Sequence, residues 1–168
     1  MRRVAVIGCG GAGKTTLANE LARRLRVPVV HIDSHYWQVV GGERVESTPH
    51  QWATVHSRLI AQPEWVIDGM KLGVLDERLA RADTVIYLDL ATVACLSGVL
   101  RRRLRYRGRD RPELGVYVDV NCEFLRWVAM FRRRQRPMLL AKLEAFDGDA
   151  IILRRREEVR RFLESVAH

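Results

Sequence analysis

Short apolar runs alternate along this chain with segments whose apolar residues recur at helical spacing. Val4-Ala5-Val6-Ile7 is a run of strand length, ended by glycines. From Thr15 to Leu25 the apolar positions are Leu17, Ala18, Leu21, Ala22 and Leu25, one face of a helix. Val27 to Ile32 predicts a second strand, with Pro28 near its start. Thr48-Pro49-His50-Gln51 reads as a capping box with proline at the first helical position, so a helix is expected to about Ala61. Trp65-Val66-Ile67 predicts a third strand, Leu75 to Ala82 a short helix, and Thr84 to Leu88 a fourth strand. Thr92 to about Tyr106 is helical in pattern, weakened by Gly98. Residues 107–116, with two glycines and Pro112, read as a loop. Helices are expected over Val118 to Arg134 and Pro137 to Ala145, a fifth strand over Ala150 to Leu153, and a last helix over Glu157 to Ala167.

Uniformly apolar strands that alternate with helices imply a parallel sheet covered on both faces, a three-layer α/β fold. The chain shows no internal repeat and no linker, and its 168 residues suit one domain spanning 1–168. Ligands of such sheets bind beyond the carboxyl ends of the strands. The notable polar residues fall there: Gly8 to Thr15 after the first strand, Asp33 after the second, Asp68 after the third and Asp89 after the fourth.

Composition narrows the class. Apolar residues make up 48% of the chain, enough for a core. No stretch has the length of a membrane span, and the four apolar residues after the basic start are too few for a signal peptide. Cys9, Cys95 and Cys122 form neither a zinc pattern nor a disulfide framework, which suits a cytoplasmic protein. The charge is uneven: residues 1–100 carry 11 Lys+Arg against 10 Asp+Glu, and residues 101–168 carry 18 against 10. The basic half is either a phosphate or nucleic-acid surface or a set of solvated helix faces.

Gly8-Cys9-Gly10-Gly11-Ala12-Gly13-Lys14-Thr15 fits the phosphate-binding loop G-x-x-x-x-G-K-[ST] between a predicted strand and a predicted helix. Small residues let successive backbone N–H groups curl around phosphate oxygens. The helix that starts near Lys14 adds its N-terminal dipole. ATP is therefore the expected ligand, held by Gly8, Gly10, Gly11, Ala12, Gly13, Lys14, Thr15 and Thr16. Lys14 supplies charge to the β- and γ-phosphates, and the Thr15 hydroxyl is a Mg²⁺ ligand. The metal's second contact is an acid at a strand end: Asp68, with Asp89 as the competitor that also reads as a helix cap.

The motifs together resemble the adenylate-kinase-related P-loop family of FlaR-like, or DNA-topology-modulation, proteins. The resemblance rests on the glycine loop, His31-Ile32-Asp33 with Tyr36-Trp37 after it, Trp65-Val66-Ile67-Asp68-Gly69, the segment Ala82 to Asp89, and the arginines from Arg101 to Arg111. It covers nearly the whole chain. It implies the strand order 2-3-1-4-5, phosphotransferase chemistry and a short lid over about 101–116. It also implies that arginines here close over the transferring group, for which the guanidinium fork is suited. Arg102 matches the lid-base arginine, and Arg107 and Arg109 follow in the loop. The arginine that lies against the nucleobase in the family falls at Gly98. The bland alternative for any one arginine is a cationic helix end facing its dipole.

Asp33 is the acceptor-side residue, as a general base for a hydroxyl, a hydrogen-bonding anchor, or a turn residue. His31 and His35 read as packing or polar-surface residues. Trp37 and Trp52 are either pocket walls or core. Between Asp33 and Asp76 the only basic residues are Arg44, Arg58 and Lys71, thin for a phosphate-bearing acceptor. Two functions follow. One is an ATP- and Mg²⁺-dependent kinase for an unidentified small molecule. The other is a nucleotide-binding regulator that acts on DNA, without sequence preference, through the basic half. Neither the acceptor nor the oligomeric state is readable from the residues.

Overall fold

In the computed structural model, which describes residues 1–40, 43–106 and 120–166, the apolar runs are strands and the amphipathic stretches helices. The order is β1 (Arg3–Gly8), α1 (Lys14–Leu25), β2 (Val29–His31), α2 (Ile32–Tyr36), β3 (Trp37–Val40), β4 (Glu43–Glu46), α3 (Pro49–Ile60), β5 (Trp65–Asp68), α4 (Leu75–Arg81), β6 (Thr84–Leu88), α5 (Thr92–Tyr106), α6 (Cys122–Arg134), α7 (Arg136–Glu144), β7 (Asp149–Leu153) and α8 (Arg156–Ser165). Five strands form a parallel sheet in the order β2-β5-β1-β6-β7, flanked by helices. Counting only these five, that is the 2-3-1-4-5 order implied by the resemblance. Val4 to Ile7, Trp65 to Ile67 and Val85 to Leu88 are fully or almost fully buried. Each such aliphatic side chain contributes roughly 1.5–3 kcal/mol of apolar burial. No helix among the described residues is long and apolar enough to cross a membrane.

Beyond shifts of one or two residues at element ends, three features depart from the sequence reading. The second strand stops at His31, because Ile32 already begins the one-turn helix α2. An antiparallel hairpin of β3 and β4 follows, in a stretch to which the hydrophobic pattern assigned nothing. The helix expected from Val118 begins at Cys122. Asn121 caps it, its side chain accepting the Phe124 N–H at 2.8 Å, which fixes the start of the first turn.

Gly98 does not interrupt α5. A Cβ there would come within 2.1 Å of the Gly11 carbonyl oxygen, and a Cβ on Gly11, at φ +78°, within 2.1 Å of the Cys95 carbonyl oxygen. The helix and the phosphate loop touch backbone to backbone. A side chain at position 98 would push the loop away, so the arginine that the resemblance implies there has no room.

Candidate active site

The loop between β1 and α1 sits at the carboxyl end of the central strand. Register places the neighbouring strand ends level with it, Val6 opposite Asp68 and Gly8 opposite Leu88. Gly10, Gly11, Gly13, Lys14, Thr15 and Thr16 line a cleft of about 570 Å³. Gly8 and Ala12, named with them from the motif, face the other way. A Cβ on Gly8 would meet Leu88, and Ala12 is core. Half-buried Lys14 donates from Nζ to the Cys9 carbonyl oxygen at 2.9 Å. Burial holds its pKa below the usual lysine value, and the charges of Asp68 and Asp33 oppose that shift.

Asp68 and Thr15, 53 positions apart in sequence, meet at the cleft. The Thr15 hydroxyl donates to Asp68 Oδ2 at 2.8 Å, and His31 Nδ1–H donates to Asp68 Oδ1 at 2.5 Å. The far ring nitrogen of His31 lies 3.1 Å from the Asn19 side-chain amide. Both carboxylate oxygens are thus oriented, and the acid is only 4% exposed. Among the described residues no three His, Cys, Asp or Glu side chains gather as a self-sufficient metal cage. A hydroxyl and a carboxylate side by side nevertheless fit Mg²⁺, which takes oxygen ligands and keeps several waters or phosphate oxygens.

Asp89 has different surroundings. Arg136 grips its carboxylate, Nε at 2.9 and 3.0 Å and a terminal nitrogen at 2.9 Å, with Arg132 at 3.7 Å and Arg154 at 3.9 Å. Its alternative reading as a helix cap gives way to this arginine clamp.

Cations and aromatics also line this cleft. Arg101, Arg102 and Arg105 of α5 line the cleft, as does Arg156 at the start of α8. The Arg102 guanidinium lies 5.6 Å from the Phe124 ring centre, and Phe124 stacks with Trp127 at 5.8 Å. Arg107 and Arg109, and with them most of the lid segment, lie outside the described residues.

Asp33, Met70 and Lys71 line the same cleft. Lys71 Nζ sits 3.3 Å over the centre of the Tyr36 ring, whose hydroxyl donates to Glu46 at 2.9 Å. Burial lowers the Lys71 pKa, while Asp33 and Glu46 oppose the shift. Behind them Arg78, fully buried, donates to the Gly69 carbonyl oxygen at 3.0 Å and holds the turn after Asp68. Its pKa is pushed down to about 10 by burial, against the charges of Asp68 and Asp33. Trp52 is core, edge-on to Tyr36; the side chain of Trp37 lies outside the described residues.

The structure therefore gathers Lys14, Thr15, Thr16, Asp33, Asp68 and Arg102 at one cleft. Sequence reasoning passed over Arg156, Phe124, Trp127, Arg78 and the His31–Asp68 contact. Arg156 was within reach: it follows the carboxyl end of the fifth strand, to which the strand-end rule was not applied. The aromatics and Arg78 give no such signal, because they sit on amphipathic helices where apolar positions and a lone arginine are ordinary.

No family model matches the chain. The Bacillus subtilis protein YqaC, itself uncharacterized, is 22% identical over 130 residues, 77% of this chain and 72% of YqaC. Among solved structures, a shikimate kinase from Acinetobacter baumannii in complex with shikimate matches with a TM-score of 0.61 at 16% identity, over 99% of this chain and 90% of that one. A deoxyadenosine kinase from M. mycoides with bound dATP matches with a TM-score of 0.54 at 14% identity, over 96% and 97%. At these identities the likeness is one of fold, the P-loop kinase fold.

Proposed function

We propose that this chain is an ATP- and Mg²⁺-dependent phosphotransferase whose acceptor is a small hydroxyl compound. It is read as a single kinase-like domain with its lid at about 101–116. The observation that carries the reading is the Thr15–Asp68 hydrogen bond at the mouth of the phosphate loop, beside Lys14. The loop's N–H groups and Lys14 hold the phosphates. Thr15 and Asp68 would hold Mg²⁺, which supplies charge neutralisation on the phosphate oxygens. Asp33 takes the acceptor's proton as its oxygen attacks the γ-phosphorus and the bond to ADP breaks. Arg102, with Arg107 and Arg109 from the lid, meets the charge of the transferring group.

A hydroxyl acceptor is supported by Asp33, a carboxylate that lines the cleft with Met70 and Lys71 and whose charge acts on both Lys71 and Lys14. The order of motifs also supports a FlaR-like relationship. The rival DNA-binding reading is weakened where arginines of the basic half are engaged inside the chain: Arg103 on the Val120 carbonyl, Arg132, Arg136 and Arg154 on Asp89, Arg161 on Glu157.

The test is ADP release with ATP and Mg²⁺ across nucleosides, nucleotides and small hydroxy metabolites, with Lys14→Ala as control. One hydroxyl compound should stimulate release by the native protein, and the folded Lys14→Ala protein should be inactive. Equal release by that variant would sink the site assignment.

A further inference from the structure

We infer that Phe124 and Trp127 form an aromatic plate that keeps water from the transferring phosphoryl group. The inference rests on the kinase reading. The plate is seated directly on the phosphate loop: a Cβ on Gly10 would lie 2.8 Å from Phe124 Cζ and 3.4 Å from Trp127 Cζ3. Gly10, Lys14, Phe124 and Trp127 line the same cleft, and the Lys14 ammonium rests on the carbonyl of Cys9, the residue before Gly10. Lys14 serves the β- and γ-phosphates in such loops, so the plate covers the end of the nucleotide where the bond breaks.

The plate is fixed from both sides. The two rings stack at 5.8 Å and 19°. Trp127 also packs edge-on, at 5.2 Å, against Phe131, which is core. Asn121 accepts the backbone N–H of Phe124 itself, so the cap that starts α6 also sets the height of the ring. Arg102 lies over the outer part of the plate, 5.6 Å from the Phe124 ring centre. A cationic group that must meet phosphate thus stands beside an apolar wall that cannot hydrogen-bond water. An acceptor hydroxyl is then favoured over water, the commonest competing nucleophile.

The competing reaction is hydrolysis. A water oxygen forms the new bond to the γ-phosphorus, the bond to the bridging oxygen breaks, ADP leaves with that electron pair, and the water's proton is released. Truncating the ring should let water in, whereas an aliphatic chain should keep it out. Because the truncation also removes a neighbour of Arg102, Phe124→Ala and Phe124→Leu are compared in the native and in the Arg102→Ala background. Single-turnover hydrolysis of ATP with Mg²⁺ and no acceptor should be about tenfold faster or more with Ala than with Leu in both backgrounds. ATP affinity should stay within roughly threefold, as expected of a group that shields the reaction and does not bind the nucleotide. Independently of turnover, ATP added without Mg²⁺ should reduce acrylamide quenching of Trp127, isolated by difference from Trp127→Phe. Equal hydrolysis by the Ala and Leu variants in the Arg102→Ala background, or quenching of Trp127 that ATP leaves unchanged, would overturn the inference. Failure of the native protein to bind ATP would instead overturn the kinase reading beneath it.

Discussion

Asp68 and Asp89 look alike in the sequence and have different roles in the fold. Each ends an apolar strand, and each is almost fully buried, at 4% and 2% exposure. The difference lies in what opposes the charge. Asp89 is gripped by Arg136, with Arg132 and Arg154 close by, so its charge is spent on joining the end of β6 to α7 and to the segment after β7. Asp68 is held by a hydroxyl and an imidazole N–H, which orient its oxygens while leaving the carboxylate beside the open cleft. On the proposed function, a strand-end carboxylate is available for chemistry when its partners are weak donors beside a cavity. It is structural when cations neutralise it. Burial alone does not separate the two.

Substitutions sharpen this contrast, and the largest effect is expected at Asp33, the acid of α2 that lines the same cleft as Asp68. Asp33→Asn keeps size and hydrogen bonding but cannot take a proton, so single-turnover transfer to the identified acceptor should fall by roughly 10²–10⁴-fold with little loss of ATP affinity. A rate within a few-fold of native would leave Asp33 an anchor or a turn residue. His31→Gln should cost about 10–100-fold in turnover, as is typical of a partner that orients a metal-binding carboxylate. If the loss appears only as a lower Tm, His31 serves packing and the orienting role is wrong. Asp89→Ala should act the other way round, keeping turnover within about threefold while losing stability. A loss of about 2–3 kcal/mol is expected, below the ~3–5 kcal/mol of a fully buried pair, because its arginines reach water. Thermal unfolding checks this, and a variant that keeps its Tm while losing activity would reverse the assignment of the two acids.

Much of this was legible in the residues. The three central strands β5, β1 and β6 are apolar runs buried along nearly their whole length, and such a run has little freedom to be anything else. The glycine loop announces its own context, since strand, loop and helix must follow in that order for it to hold phosphate. The β3–β4 hairpin was missed because its strands alternate poorly, although Gly41-Gly42 between them is a two-residue hairpin signal. Gly98 showed in the sequence only as a weak point of a helix that does form, because a close approach between two backbones, here α5 and Gly11, leaves no trace in local pattern. The choice of Asp68 over Asp89 for the metal was made from the residues, but the clamp on Asp89 was hidden. It depends on Arg132, Arg136 and Arg154, more than 40 positions from Asp89, folding back on one acid and not on the other.

The central claim, that the cleft binds ATP together with Mg²⁺ held at Thr15 and Asp68, is tested most directly by calorimetric titration of ATP with and without Mg²⁺. The proteins compared are the native chain and Asp68→Asn. Mg²⁺ should tighten ATP binding by the native protein. The folded Asp68→Asn variant should still bind ATP through its intact loop but lose most of the Mg²⁺ enhancement. An Asp68→Asn protein whose ATP affinity responds to Mg²⁺ as fully as the native one would contradict the claim.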